Sequence, residues 1–359
     1  GTSATIHRSA LLHNMRIIKL LAGDAKVWAV LKANAYGHGA VAIAKMLKED
    51  ADGFAVATLG EAEELHQEGI DHQILLLEGC PNFGQMQRAI DKKFVLVLHD
   101  LQQVNWFCNL QCKQPVAVWM KADTGLHRLG MTPEEIDAAV NQLKGSKNCK
   151  SISLMTHIAC ADEPDHPLNE QQVSLFAQIA QTHDFAQLSI ANSATLVTRP
   201  ECRGNWVRPG IMMYGASPIP GLHARQLGLQ PVMDLTAPVI AIRNVKVGDC
   251  VGYGAAWRAD RDCKLATIAI GYGDGYPRHA KSGTPVWFNG KNHSLVGRVS
   301  MYMISIDVTG ANIAVGDHVE LWGQHLPVDE VAKWCDTISY ELLTRLSQRV
   351  EYNYVAKSV

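Results

Sequence analysis

Between Ala25 and about Tyr214, short apolar runs alternate with longer stretches whose apolar residues recur every three or four positions. The short runs are Val27–Leu31, Gly53–Ala57, Ile74–Leu77, Phe94–Leu98, Val116–Met120, Ile152–His157, Leu188–Ala191 and Val207–Met213. Helical periodicity fills the gaps, as in Gly60–Glu68, Gln85–Ile90, Pro133–Leu143 and Glu170–Ile179. Val-, Ile- and Leu-rich strands separated by helices predict a parallel sheet buried on both faces. Eight such units close most naturally as a (β/α)8 barrel of the TIM type; an open doubly wound sheet is the rival arrangement.

After Leu235 the pattern changes to short strands, Val239–Val245, Lys264–Ile270, Thr284–Phe288, Met303–Val308 and His318–Leu321, with turns at Gly248-Asp249 and Gly316-Asp317. One or two helices are expected between Val328 and Leu346. The fold class is therefore α/β, an N-terminal barrel followed by a mainly β domain, with the expected boundary placing residues 1–233 in the first and 234–359 in the second. There is no internal repeat or low-complexity stretch, so close packing of the two is expected.

Composition narrows the function. With 359 residues, 47% hydrophobic and 19% charged, the chain suits two packed domains. A formal charge of -2 argues against nucleic acid as the partner, and no apolar run reaches the roughly 20 residues that span a bilayer. The nine cysteines are scattered, and Cys108 and Cys112 lack CxxC spacing, so reduced thiols are expected rather than a disulfide framework. No signal-peptide pattern precedes Thr5; a cytoplasmic location is expected, or a periplasmic one if a leader was removed.

In a barrel of this kind, chemistry gathers where strands end and βα loops begin. Polar residues fall there: Lys32 after the first strand, Lys121 and Asp123 at the fifth with Arg128 in its loop, His157 at the sixth, Ser193 after the seventh and Arg208 in the eighth. Lys32 stands out because an apolar strand runs directly into it and small residues follow (Ala33, Ala35, Gly37, Gly39), with Tyr36 among them. An arbitrary lysine at a sheet rim simply snorkels to water. A desolvated one has a lowered pKa, and only a neutral amine adds to an aldehyde to form a Schiff base, the chemistry of pyridoxal phosphate. Ala191-Asn192-Ser193 and Arg208-Pro209-Gly210-Ile211 offer a hydroxyl and open backbone amides near the seventh and eighth strands, a common phosphate site in such barrels.

Val30-Leu31-Lys32-Ala33-Asn34-Ala35-Tyr36-Gly37-His38-Gly39 resembles the cofactor attachment segment of alanine racemases. The segments 120–130 (Met120 to Gly130), 206–215 (Trp206 to Gly215), 251–254 (Val251 to Gly254) and 270–277 (Ile270 to Pro277) resemble the same family, in the family's order. The resemblance implies interconversion of L- and D-alanine by two bases, Lys32 carrying pyridoxal phosphate and acting on the D-enantiomer, and Tyr253 from the second domain of a partner subunit acting on the L-enantiomer. It implies that Arg208 faces the pyridine nitrogen, that His157 links Arg208 to Tyr253, and that Tyr36, Ser193, Gly210 and Ile211 hold the phosphate. Arg128, Met301 and Tyr272 are implied for the substrate, Lys121 as a residue carbamylated in many members, and a homodimer with shared sites. D-alanine supply for peptidoglycan is the role that goes with this assignment.

Other readings stay open at this level: a serine or broad-specificity racemase, another barrel-type pyridoxal phosphate enzyme such as an amino-acid decarboxylase, or a cofactor carrier without catalysis. Arg208 speaks against the decarboxylase, which usually sets an acid at the pyridine nitrogen, and the second domain speaks against the carrier. No metal is expected; Asp162-Glu163-Pro164-Asp165-His166 reads as a solvated acidic loop. Gly271-Tyr272-Gly273-Asp274-Gly275 lacks the spacing of a dinucleotide loop. One departure is clear: Tyr302 follows Met301 where the family usually has aspartate.

Overall fold

The computed structural model describes residues 1–356. The chain opens with β1 (Ser3–His7) and then a helix, Arg8–Ala22. Eight parallel strands follow: β2 (Lys26–Val30), β3 (Gly53–Val56), β4 (Ile74–Leu76), β5 (Val95–Leu98), β6 (Val116–Lys121), β7 (Cys149–Met155), β8 (Leu188–Asn192) and β9 (Trp206–Arg208). They close into a barrel in chain order, with Lys26 beside Trp206 and Val27 beside Val207 at the seam. Trp28 and Trp206 stack across that seam with ring centroids 4.1 Å apart. The barrel strands are almost wholly buried, as continuous apolar runs require when helices cover one face and side chains fill the other.

The helices begin where their caps say they should. Thr58 and Glu61 form a reciprocal capping box at Leu59–Gln67, and Thr132 and Glu135 form another at Pro133–Lys144, with Pro133 in the first turn. Asn82, Asp100 and Asn192 accept amide hydrogens at the starts of Phe83–Asp91, Leu101–Cys108 and Ser193–Thr198.

The second region holds β10 (Met233–Val245), β11 (Cys250–Val251), β12 (Trp257–Arg258), β13 (Cys263–Ile268), β14 (Pro285–Phe288), β15 (Lys291–Val296), β16 (Ile304–Asp307), β17 (His318–Trp322) and β18 (Glu351–Val355). Its main sheet has the order β13-β16-β15-β14-β17-β10-β1-β18. Thus β1 lies in this sheet, antiparallel to β10 and parallel to β18. Two helices, Val328–Trp334 and Ser339–Thr344, precede β18. One apolar core runs through both regions, which fixes the second against the mouth of the first.

The expected barrel and mainly β sheet are both present, with local differences. The last barrel strand stops at Arg208; Ile211–Tyr214 is a 3-10 turn, because Pro209 lacks an amide for the ladder and Gly210 turns the chain. Similarly, β7 ends at Met155, which leaves His157 in the loop beyond it. β1, β15 and β18, and the two-residue strands β11 and β12, are not among the sequence-derived strands.

Candidate active site

Lys32 directly follows Leu31 at the end of β2, and the next four residues take left-handed backbone angles: φ is 52° at Ala33, 55° at Asn34, 53° at Ala35 and 51° at Tyr36. For L-residues each costs of the order of 1–2 kcal/mol, so this turn must be held by its surroundings. The Ala33 amide donates to Glu61 Oε2 at 2.8 Å, and the Ala40 amide donates to Asn34 Oδ1 at 2.8 Å. The hydroxyls of Tyr352 and Tyr354, on β18, donate to the carbonyls of Gly37 and His38. The final strand of the β sheet therefore clamps the loop that presents Lys32.

A cleft of about 540 Å3 opens at the carboxyl ends of the barrel strands. Lys32, Tyr36, Lys121, Arg128, His157, Ser193, Arg208, Gly210 and Ile211 all line it. Water in the open cleft reaches Lys32, yet protein surrounds most of its side chain. That burial lowers its pKa, and the positive charges of Arg128 and Arg208 lower it further against the opposing pull of Glu78 and Glu61. Lys121 is 8% exposed, and its pKa is lowered to about 8 by burial and then by Arg208, Arg128 and Lys32.

Arg208 is 5% exposed, and its guanidinium donates to Ser189 Oγ and, at 2.6 Å, to the Thr156 carbonyl. Both partners are neutral oxygens. Burial lowers its pKa to about 10, which still leaves it charged at neutral pH. His157 is driven well below its ordinary pKa by burial and then by the charges of Arg208, Lys121, Lys32 and Arg128, so its ring is neutral. Its Nε2 meets Asn192 Nδ2 at 3.5 Å, and its carbonyl accepts from Gln172 Nε2 at 3.0 Å. Arg208 and His157 are thus electrostatic neighbours whose hydrogen bonds run to other residues.

At the exits of β8 and β9, the latter beside β2, Ser193 Oγ accepts the amides of Gly210 at 2.9 Å and Met212 at 3.4 Å. A Cβ on Gly210 would lie 2.2 Å from the Tyr36 hydroxyl, so only glycine lets that phenol approach the backbone here. Tyr36 is stacked on Tyr214, centroids 4.9 Å apart, and the Tyr214 hydroxyl donates to the Val30 carbonyl at 2.8 Å. Burial raises the pKa of Tyr36, which therefore stays a neutral hydrogen-bonding phenol.

Both family models for alanine racemases match this chain, the N-terminal domain over residues 6–218 and the C-terminal domain over residues 232–354. The chain belongs to the alanine racemase family. An alanine racemase of Stutzerimonas stutzeri is 45% identical over 353 residues, 98% of each chain. The biosynthetic alanine racemase of Pseudomonas aeruginosa is 45% identical over 352 residues, again 98% of each. The crystal structure of that Pseudomonas aeruginosa enzyme superposes with a TM-score of 0.96 at 44% identity, and an alanine racemase structure from Acinetobacter baumannii with 0.92 at 40%, each covering 99% of both chains.

Against the alanine racemase pattern, three residues stand apart from the cleft. Tyr253 is 72% exposed on the second region, and Tyr272 and Met301 are exposed there with Tyr302 and Met303. None of the five lines the barrel cleft of its own chain. Conversely, the cleft contains Glu78 and Tyr340, which sequence reasoning did not select, and Asn192, which it named only within Ala191-Asn192-Ser193. Glu78 lies two residues beyond β4, in the position where loop chemistry is expected, and could have been found by that rule. Tyr340 comes from the helix Ser339–Thr344, which no barrel periodicity places at the mouth.

Lys121 and Asp123, two apart on one strand end, do not pair. The Asp123 carboxylate binds His127 Nδ1 at 2.8 Å and the amides of Gly125 and His127. In the acidic loop, Glu163 and His166 bring ligand atoms within 4.8 Å of Cys160 and of each other, but His166 Nδ1 already accepts the Leu168 amide.

Proposed function

We propose that this chain interconverts L- and D-alanine with pyridoxal phosphate held on Lys32, in a homodimer whose two sites each draw on both subunits. The observation that carries the proposal is a lysine of lowered pKa in a cleft that it shares with the Tyr36 and Ser193 hydroxyls and with a buried arginine whose hydrogen bonds go to neutral oxygens. The residues present fit the cofactor: Lys32, the Tyr36 and Ser193 hydroxyls and Arg208 line one cleft, and at Gly210, where a Cβ would meet the Tyr36 hydroxyl, the bare backbone forms part of its wall.

When bound, pyridoxal phosphate supplies an electron sink that acidifies the α-hydrogen of an amino acid joined to it. Tyr36, Ser193, Gly210 and Ile211 would hold its phosphate, and Arg208 would face its ring nitrogen. An arginine gives up its proton far less readily than an acid, so it leaves that nitrogen unprotonated and tempers the sink, which favours simple proton return over side reactions. Arg128, exposed at the cleft with Lys121 beneath it, attracts the substrate carboxylate.

Racemisation takes a proton from one face and returns one to the other, so it needs two groups on opposite sides. Lys32 is one. For the other, the exposed set Tyr253, Tyr272, Met301, Tyr302 and Met303 supports docking of the second region onto another copy's barrel mouth. The partner subunit's Tyr253 then provides the second proton carrier, and the partner subunit's Met301 offers its amide to the carboxylate. Neutral His157 lines the same cleft as Arg208 and takes no hydrogen bond from it, so its proposed link to that phenol is through its own ring. A cytoplasmic location goes with this reading; among the described residues no helix is long and apolar enough to cross a membrane. Incubation of the purified protein with single L-amino acids, followed by chiral chromatography, tests the activity. D-alanine should accumulate fastest; absence of any D-product from alanine would refute the assignment.

A further inference from the structure

Glu61 sits at the third position of the helix Leu59–Gln67, where a glutamate after Thr58 is an ordinary capping-box partner. Its carboxylate does more. Oε1 accepts the Ala57 amide at 2.8 Å and the Thr58 amide at 3.2 Å, while Oε2 accepts the Ala33 amide at 2.8 Å. One side chain therefore joins the exit of β3 to the first residue after Lys32. Ala33 is also the first of the four left-handed residues, and the only one whose amide is held by a charged group.

We propose that Glu61 is a positioning residue: its carboxylate pins the left-handed turn at Ala33 and thereby fixes where the Lys32 amine stands in the cleft. Three observations converge on it. The turn is intrinsically unfavourable and needs an external hold. The hold is charge-assisted, the stronger kind of hydrogen bond, and divides between two separate strand exits. Glu61 lies near enough to Lys32 for its negative charge to be felt there, opposing Arg128 and Arg208. The inference rests on the reading of Lys32 as the cofactor lysine and names a residue that supports it from outside the cleft lining.

The test uses the purified holoenzyme, stripped of cofactor and titrated with pyridoxal phosphate while the absorbance of the lysine-bound form is followed. Glu61→Gln keeps the shape but turns a carboxamide NH2, a donor that cannot accept, toward one of the amides. The half-saturating concentration should rise about tenfold, the factor for one lost charge-assisted hydrogen bond, and the pH dependence of cofactor capture should move because the charge near Lys32 is gone. Thr58→Ala breaks the same capping box without touching the Ala33 bridge, and it should shift half-saturation less than twofold. Equal weakening by the two variants, or none by Glu61→Gln, would overturn the proposal and leave Glu61 a helix cap. Should Glu61→Gln not fold, Glu61→Asp decides by the same comparison, since its shorter arm keeps the charge but cannot reach both strand exits. Failure of the underlying reading looks different: the wild type would show no lysine-bound absorbance, or Lys32→Ala would retain it.

Discussion

An amine attacks carbon dioxide only in its neutral form, and at Lys121 a pKa of about 8 leaves roughly a tenth of the side chain neutral at pH 7, far more than for a free lysine. The lowering has a visible cause, burial among three other cations, and a carbamate would replace the positive charge of Lys121 by a negative one that those cations attract. We expect Lys121 to be carbamylated, with one proton released as the N–C bond forms. Protein held in 13C-bicarbonate should show a carbamate carbon resonance that grows as pH rises through about 8 and is absent from Lys121→Arg. The same resonance in both proteins would refute the modification. Tyr302 is a second local case. Arg349 lies 4.1 Å above its ring and also binds Asp274, so the residue that replaces the family's usual aspartate is already tied to a cation by its face. Tyr302→Asp should keep activity, because the contact proposed for Met301 is through its backbone amide, but should change the ratio of kcat/KM between alanine, serine and a larger amino acid. Three unchanged values would make the substitution neutral. Most polar groups of the cleft were legible as residues because each breaks an apolar strand at its carboxyl end. Tyr340 was not, since its place depends on how a distant helix docks.

At the scale of elements, the lysine loop is held by its neighbours more than by its own propensity. A Cβ on Gly37 would lie 1.9 Å from the Leu343 carbonyl, at a φ of +78°, where the helix Ser339–Thr344 presses on the loop. Gly221 has a similar φ of +80° but open space around it. Gly221→Ala should therefore cost about 1 kcal/mol in denaturant unfolding, while Gly37→Ala adds a backbone clash and should cost about 3 kcal/mol or more. Equal costs would mean that the helix yields freely. The barrel strands were readable to within a few residues because continuous apolar runs have few other uses. β1, β15 and β18 escaped for a physical reason. Lys291–Val296 and Glu351–Val355 alternate weakly and carry exposed polar residues, and Ser3–His7 is a strand only because β10 and β18 flank it. Pairing over hundreds of residues leaves no local signal.

At the scale of the whole molecule, β1 and β18 pair in one sheet, and β18 in turn reaches the lysine loop through Tyr352 and Tyr354. The second region thus shapes the cleft of its own barrel while leaving Tyr253 outside it, 72% exposed. Under the proposed two-base reading, a symmetric pair is the arrangement that would bring Lys32 and Tyr253 into one site. Lys32→Ala and Tyr253→Ala proteins should each be inactive in racemisation. Unfolding and refolding the two together, or exchanging their subunits, yields hybrids with one site carrying both defects and one carrying neither. With random pairing, racemase activity should return to about one quarter of wild type. No recovery, with subunit exchange demonstrated by differently tagged chains, would contradict the cross-subunit site.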